Sequence, residues 1–415
     1  MGEDISALSS SQPRARRTDA RWRGAEQLLT LVRREPEITR ASAARRLGLN
    51  SGTAAELIAR LRELSLIDEQ PAAARGRGRP TAVLRPHVFG PLVAAIDVRH
   101  ADWRIALAGV DGVPSVIQRG RITDRSPAAV LDRLRAALIE LQSRHAHRLR
   151  AVSIAVPAAT RGRQLVHAST LSWRDADVAS IAEGTGLPVL IGNDATLAGV
   201  AEARTPDLIG ARILLHLVIE VGLGGVLIID GEPVTGATGT GGEFGHLPFG
   251  DRRLQCPCGA RGCWELEIDG RAMARHLAKP TPHDPRRFAE DVIAATPGDA
   301  PSRRATQLCA AAFGAGVAGL INALDPEIIT LGGLAGPLRQ AAPGAFDAAL
   351  TNGMMEFRRT TPPVIRNATW DEDGALRGAA TLGLDTALDA HGLERWAEHR
   401  ATRSINEAVA TSTDA

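Results

Sequence analysis

The chain has 415 residues, 44% of them hydrophobic, and a net charge of only +2. That is length enough for two or three domains with proper cores. No apolar run reads as long enough to span a bilayer, no signal or transit peptide is evident, and four cysteines in what reads as a reducing, cytoplasmic setting argue against a disulfide framework. The small net charge hides an asymmetry: up to Arg85 there are 16 arginines against 10 acidic residues, and the remainder is slightly acidic. A basic amino-terminal module on an acidic body points to a polyanionic partner for that module alone.

Residues 1–20 are polar and predict a disordered tail. The pattern A-E-Q-L-L-T-L-V-R-R over residues 25–34 predicts an amphipathic helix ended by Pro36. Thr39 is placed to cap a second helix that stops at Gly48. Asn50 or Ser51 caps a third, with Leu57, Ile58, Leu61 and Leu64 on its buried face. Short strands at 66–69 and 81–84 flank the run A-R-G-R-G-R-P. This order is that of a winged helix-turn-helix, an α+β domain over residues 21–86. Ser51, Gly52 and Thr53 would lie nearest base edges, and Arg45, Arg46 and Arg60 would meet phosphates. Arg75, Arg77 and Arg79, alternating with glycines, suit a narrow minor groove. The expected partner is double-stranded operator DNA; a flexible basic linker is the plainer alternative for the arginine run.

After a short connector, buried strands at 91–99, 103–108 and 151–156, with a helix over 128–145 between them, open an α/β body. Leu187–Thr196 ends a strand on Asn193 and Asp194, which by chemistry alone could be a turn or a helix cap. A strand over 213–219 leads to Glu220-Val-Gly-Leu-Gly-Gly225. From Gly241 to Glu265 the chain reads G-G-E-F-G-H-L-P-F-G-D-R-R-L-Q-C-P-C-G-A-R-G-C-W-E. His246, Cys256, Cys258 and Cys263 supply one imidazole and three thiolates, a set that can close a tetrahedron around a structural Zn2+. Cys309 lies in an apolar run and reads as a buried small hydrophobe.

The E-x-G-H and C-x-C-G-x-x-G-C-x-E spacing in this stretch resembles the signature of the ROK family of repressors, open reading frames and sugar kinases. The resemblance extends to Asn193-Asp194, to Asp325–Gly333 and to Gly374–Ala380. It implies a two-lobed actin-like sugar kinase ATPase fold behind the DNA-binding head. Lobe 1 would cover 91–205, completed by a carboxy-terminal helix near 375–393, lobe 2 would cover 206–374, and 394–415 would be a fraying polar tail. It further implies that Asn193, Asp194, Glu243, His246 and Glu265 hold a sugar or sugar phosphate.

Two departures stand out. Family kinases end the first strand in D-x-G-G, whose glycines approach the phosphates of ATP; here Asp97 is followed by Val98, Arg99 and His100. They also carry G-T-G-x-G-G-G, where this chain has Glu220 and Val221 for the Gly-Thr. The expectation is therefore a non-catalytic, sugar-responsive regulator, with Asp194 as a vestigial base position, acting as a homodimer or homotetramer without membrane contact. The alternatives are a bifunctional kinase with a DNA-binding head and a DNA-binding scaffold without a ligand.

Overall fold

The computed structural model of the chain describes residues 12–71, 82–162 and 164–413. The head opens with α1 (Gln12–Arg34), α2 (Arg40–Arg46) and α3 (Ser51–Glu63), followed by the antiparallel pair β1 (Ile67–Pro71) and β2 (Ala82–Pro86). Thr39 caps α2, accepting from Ser42 N, and Asn50 caps α3, accepting from Thr53 N at 2.9 Å. Gly48, at φ 64°, turns the chain between them. The turn over 72–81 that would carry Arg75, Arg77 and Arg79 lies outside the described residues.

Lobe 1 comprises β3 (Leu92–Val98), β4 (Asp102–Ala108), β5 (Pro114–Arg121), α4 (Pro127–His145), β6 (Leu149–Val156), a small sheet of β7 (Ala159–Arg161), β8 (Gln164–Ala168) and β9 (Trp173–Arg174), then β10 (Val189–Asn193) and α5 (Asp194–Ala203). Lobe 2 begins with β11 (Ile213–Ile219), β12 (Leu223–Ile229) and β13 (Glu232–Pro233). It continues through α6 (Gly270–His276), α7 (Pro285–Ala295), α8 (Ala300–Leu324), β14 (Ile328–Gly333), α9 (Ala335–Ala341), α10 (Pro343–Gly353), α11 (Glu356–Thr360) and β15 (Val364–Asn367). The chain closes with α12 (Gly374–Ala387), which packs back on lobe 1, and α13 (Ala390–Thr413).

The main sheets share one plan. In lobe 1 the order is β10-β6-β3-β4-β5, and in lobe 2 it is β13-β12-β11-β14-β15. Each first strand pairs antiparallel with the hairpin strand after it and parallel with a later strand on its other side. The buried first strands are apolar but for Asp97 and His216, as strands covered on both faces require.

Three sequence expectations need correction. Residues 12–20, expected to be disordered, are the first turns of α1. Pro13 falls in the first turn, where its missing N–H costs nothing, and no proline interrupts the helix after it. Beyond Leu393 the tail, expected to fray, is helix α13. Its polar composition conceals Leu393 and Trp396, which are 0% and 1% exposed. Trp396 Nε1 donates to Leu64 O at 2.8 Å, just past the end of α3, and Arg400 Nη2 donates to Ser65 Oγ. Finally, α8 is by length and composition apolar enough to cross a membrane. Its Cys309, Phe313, Val317 and Ile321 lie in the core of lobe 2, where an ordinary central helix of an α/β lobe would place them.

Head and lobe 1 share one apolar core. Trp22, Leu29 and Val32 of α1 belong to the same cluster as Leu384 of α12, Leu393 and Trp396. Replacing Trp396 with phenylalanine keeps an aromatic ring but removes the donor to Leu64 O and leaves a cavity where the rest of the buried indole sat. We expect a loss of about 2–3 kcal/mol of unfolding free energy, measured by urea titration.

Candidate functional site

A cleft of about 860 Å³ separates the lobes. Asn193, Asp194, Glu243, His246 and Glu265 all line it, so residues spread over 73 positions of sequence meet at one wall. Asn193 ends β10 and caps α5: its Oδ1 accepts from Thr196 N at 2.9 Å and its Nδ2 donates to Ala158 O at 3.2 Å. The cap and the cleft position coexist, because each carboxamide atom retains a second hydrogen-bonding site. Asp194 Oδ1 accepts from Ala195 N at 2.8 Å. Its desolvated setting raises its carboxyl to about 7; the Ala195 N–H opposes this, and the nearby carboxylates of Asp97, Glu220 and Glu243 add to it.

Glu265 stands behind His246 with its side chain 6% exposed. It is held from the rear by two residues that the sequence motifs do not mark. Arg271 Nη2 lies 3.4 Å from Glu265 Oε1, and Arg271 is itself gripped by Asp269, the cap of α6. Their position just after Cys263 was the available signal. Gly222 faces this carboxylate, and a Cβ there would sit 2.3 Å from Glu265 Oε2, so only glycine leaves room for it.

The ligand atoms of His246, Cys256, Cys258 and Cys263 lie within 4.8 Å of one another. Cys258 and Cys263 Sγ are 3.6 Å apart, and Cys256 Sγ is 3.7 Å from His246 Nδ1. A zinc tetrahedron with its usual bond lengths has edges of about 3.8 Å between sulfurs, so these two separations suit such an ion. All four cysteines are free thiols. Gly259 and Gly262, at φ 99° and 75°, provide the turns that bring the three nearby ones together. His246 directs Nδ1 at this cluster, and its Nε2 is 3.7 Å from Glu243 Oε2 on the cleft side.

The other half of the cleft holds ion pairs. Asp97, 1% exposed, accepts from Arg99 Nε at 2.8 Å and from Arg104 Nη2 at 2.9 Å. Arg104 also donates to Asp373 Oδ1 at 2.7 Å and to the carbonyl of Glu372. From lobe 2, Arg286 at the start of α7 pairs with Glu220 and reaches Glu372 Oε1 at 3.2 Å. The segment ahead of α12 is thus stapled to both lobes. Nothing in the sequence marks Arg286 or Glu372, because each pairs with a residue far along the chain.

On the head, Ser51, Gly52 and Thr53 are exposed at the start of α3. Arg45 and Arg46 are exposed on α2, with Arg46 paired to Glu35 at 3.1 Å. Arg60 also makes a contact within the head. Its guanidinium lies 3.8 Å from the centroid of the Trp22 ring and is half buried, so it packs α3 on α1 and is not a free surface cation.

Residues 93–386 match the ROK family model. A glucokinase of Streptomyces coelicolor is 32% identical over 251 residues, which span 55% of this chain and 78% of that protein. The xylose repressor of Bacillus subtilis is 25% identical over 309 residues, spanning 73% of this chain and 80% of the repressor. Among solved structures, a ROK family transcriptional regulator, a homolog of the E. coli MLC protein, superposes with a TM-score of 0.72 at 21% identity over 90% of this chain and 97% of its own. A ROK glucokinase from Streptomyces griseus, in complex with glucose and AMPPNP, superposes at 0.60 with 22% identity over 71% of this chain and 99% of its own. These likenesses give the two-lobed α/β fold, and with a family match over most of its length the chain belongs to the ROK family.

Proposed function

We propose that the protein is a sugar-responsive DNA-binding transcriptional regulator, acting as a repressor in the cytoplasm. Its head, 21–86 with the rest of α1, would read operator DNA through Ser51, Gly52 and Thr53, with Arg45 on phosphates. Its two lobes would close on a sugar or sugar phosphate held by Asn193, Asp194, Glu243, His246 and Glu265. The observation that carries this reading is the ion network in the opposite half of the cleft. Where a kinase needs glycine backbone against phosphates, Arg99 and Arg104 are committed to Asp97, and Glu220 stands beside Arg286. With these arginines already held by carboxylates, the wall offers a triphosphate neither glycine backbone nor a free cation. The likeness to a xylose repressor and to a ROK regulator supports the regulatory role.

The four His and Cys residues would hold a structural Zn2+, which would supply a rigid anchor behind the sugar wall. His246 would orient its free Nε2 and Glu243 toward sugar hydroxyls. Two copies would pair so that two α3 helices meet half-sites about 34 Å apart.

Asp194 gives the binding a pH dependence. Its folded value, about 7, lies above its ordinary 3.8, so the folded chain holds an extra proton between the two. The stability it contributes is present below about pH 4 and is lost as pH rises through 7. A sugar hydroxyl that donates to Asp194 favours the ionised form. Effector affinity is therefore expected to rise from about pH 6 to about pH 8, and Asp194→Asn to flatten the profile, as read by calorimetric titration.

The retained Asp194 and the glucokinase relative keep phosphoryl transfer as the rival reading. The test is ADP formation by purified protein with ATP, magnesium and a panel of hexoses and amino sugars. No turnover above the rate without sugar is expected. Sustained sugar-dependent ADP release would make the protein a kinase.

A further inference from the structure

Asp385, near the end of α12, offers one carboxylate oxygen to each of two arginines from different regions of the molecule. Oδ1 lies 3.1 Å from Arg33 Nη2 on α1 of the head. Oδ2 lies 2.8 Å from Arg204 Nη2, the residue that ends α5. Arg33 is no ordinary surface cation. Its side chain is 13% exposed, its stem packs near Gly112 at the β4–β5 turn, and its Nε has no other partner among the described residues. Asp385 is its one ion-pair partner there, and without it Arg33 and Arg204 would be left as two like charges.

The other end of α5 begins in the cleft, at Asp194 with its cap Asn193. The helix has ten residues and so spans about 15 Å. It is seated against α12 backbone to backbone: a Cβ at Gly378 would lie 2.0 Å from Leu197 O, and one at Gly374 would lie 3.1 Å from the Ala198 Cβ. Helices in such contact shift together, because neither has a side-chain layer to absorb a displacement. The first turn of α5 therefore faces the ligand wall, and its last residue ends on the carboxylate that also holds the head.

We propose that Asp385 is the joint through which ligand occupancy at the start of α5 is transmitted to the DNA-binding head. It is a positioning residue, acting through Arg204 on one side and Arg33 on the other. The inference rests on the reading of the cleft as an effector site. Ligand hydroxyls that draw on Asn193 and Asp194 displace the α5–α12 pair. Arg204 travels with the pair and fixes the carboxylate, so a movement of about 1–2 Å, typical of helix shifts in switching proteins, pulls Asp385 away from Arg33 on the head. The head is then free to take a second placement. A merely structural ion pair would change stability or DNA affinity but not the ratio of DNA affinities with and without ligand.

The test uses the full chain and a DNA fragment that the wild type selects from a randomised library. DNA affinity is measured with and without the sugar that gives the largest thermal shift. Arg204→Gln is the main variant, because it leaves the Arg33–Asp385 contact in place and the chain able to fold; Asp385→Glu is the conservative control. We expect the wild-type response of at least about fivefold to fall to within about twofold of unity in Arg204→Gln, with sugar affinity nearly unchanged and some of the response kept by Asp385→Glu. An Arg204→Gln protein with the full wild-type response overturns the proposal. If no sugar alters DNA binding by the wild type, the effector reading fails by itself, and the joint is judged by amide exchange in the ligand-free chain. Faster exchange over residues 28–34 in Arg204→Gln upholds the connection between α5 and the head, and unchanged exchange overturns it.

Discussion

Cys258→Ala is expected to abolish stoichiometric zinc and, with it, most of the sugar affinity. The wild type should carry about one zinc per chain by metal analysis, and the variant close to none. Cys258 contributes one corner of a donor set whose Sγ atom lies 3.6 Å from Cys263 Sγ, a distance suited to sharing one ion. The turn around it has little else to hold it. Cys256, Cys263 and Leu266 form a core cluster of only three buried residues, far too few for an independent fold. Zinc binding in small modules is linked to roughly 10 kcal/mol or more of folding free energy, so losing a ligand should release much of the segment from 246 to 265. His246 and Glu265 both depend on that segment. Glu265 lies 3.3 Å from Cys256 Sγ and 3.9 Å from His246 Nδ1, and it would lose its rigid neighbours together. Sugar affinity should fall by at least tenfold while head and DNA binding persist, because the head packs on lobe 1 and α13, away from the cysteines. Metal content and sugar titration on a single preparation check both outcomes.

Arg104→Met is expected to be the most destabilising single change in the cleft, by about 3–5 kcal/mol in urea unfolding. The Arg104 and Asp97 side chains are 4% and 2% exposed. Removing the guanidinium strands a buried carboxylate with Arg99 as its remaining ion-pair partner and unties Asp373 from the sheet. The penalty comes from the charge left behind, not from the value of the pair. The double variant Asp97→Leu/Arg104→Met should therefore recover most of the loss, since an apolar pair needs no compensation. An equal loss in the double variant would show that packing by the arginine stem outweighs the stranded charge.

How much of this was legible depends on the distance over which each feature is encoded. The first strands of both lobes read directly, since Leu92–Val98 and Ile213–Ile219 are apolar runs interrupted only by Asp97 and His216. Asn50 and Thr39 read as caps from their side chains alone. The His–Cys set was legible because its four donors fall within eighteen residues and their chemistry is rarely used otherwise. The proposed sugar wall is legible only through family resemblance, because Asn193 and Glu265 in isolation could be any cap and any surface acid. Arg104 and Asp373 are 269 positions apart, and nothing local in either marks the other. The same is true of Trp396 and Leu64, 332 apart, which is why a polar tail reads as fraying when it is a helix clamped under the head. Arg60 makes a contact its own helix does not reveal, because Trp22, the ring it lies against, comes from another helix.

The central claim is that sugar held in the cleft alters DNA binding by the head, with no phosphoryl transfer. It is tested most directly by DNA affinity of the full chain, measured across a sugar panel, for the wild type and for the Asp194→Asn/Glu243→Gln variant. The account predicts that at least one sugar shifts wild-type affinity by about fivefold or more, and that the variant binds the same DNA equally well but no longer responds. A wild type indifferent to every sugar, or a double variant that still responds in full, would contradict it.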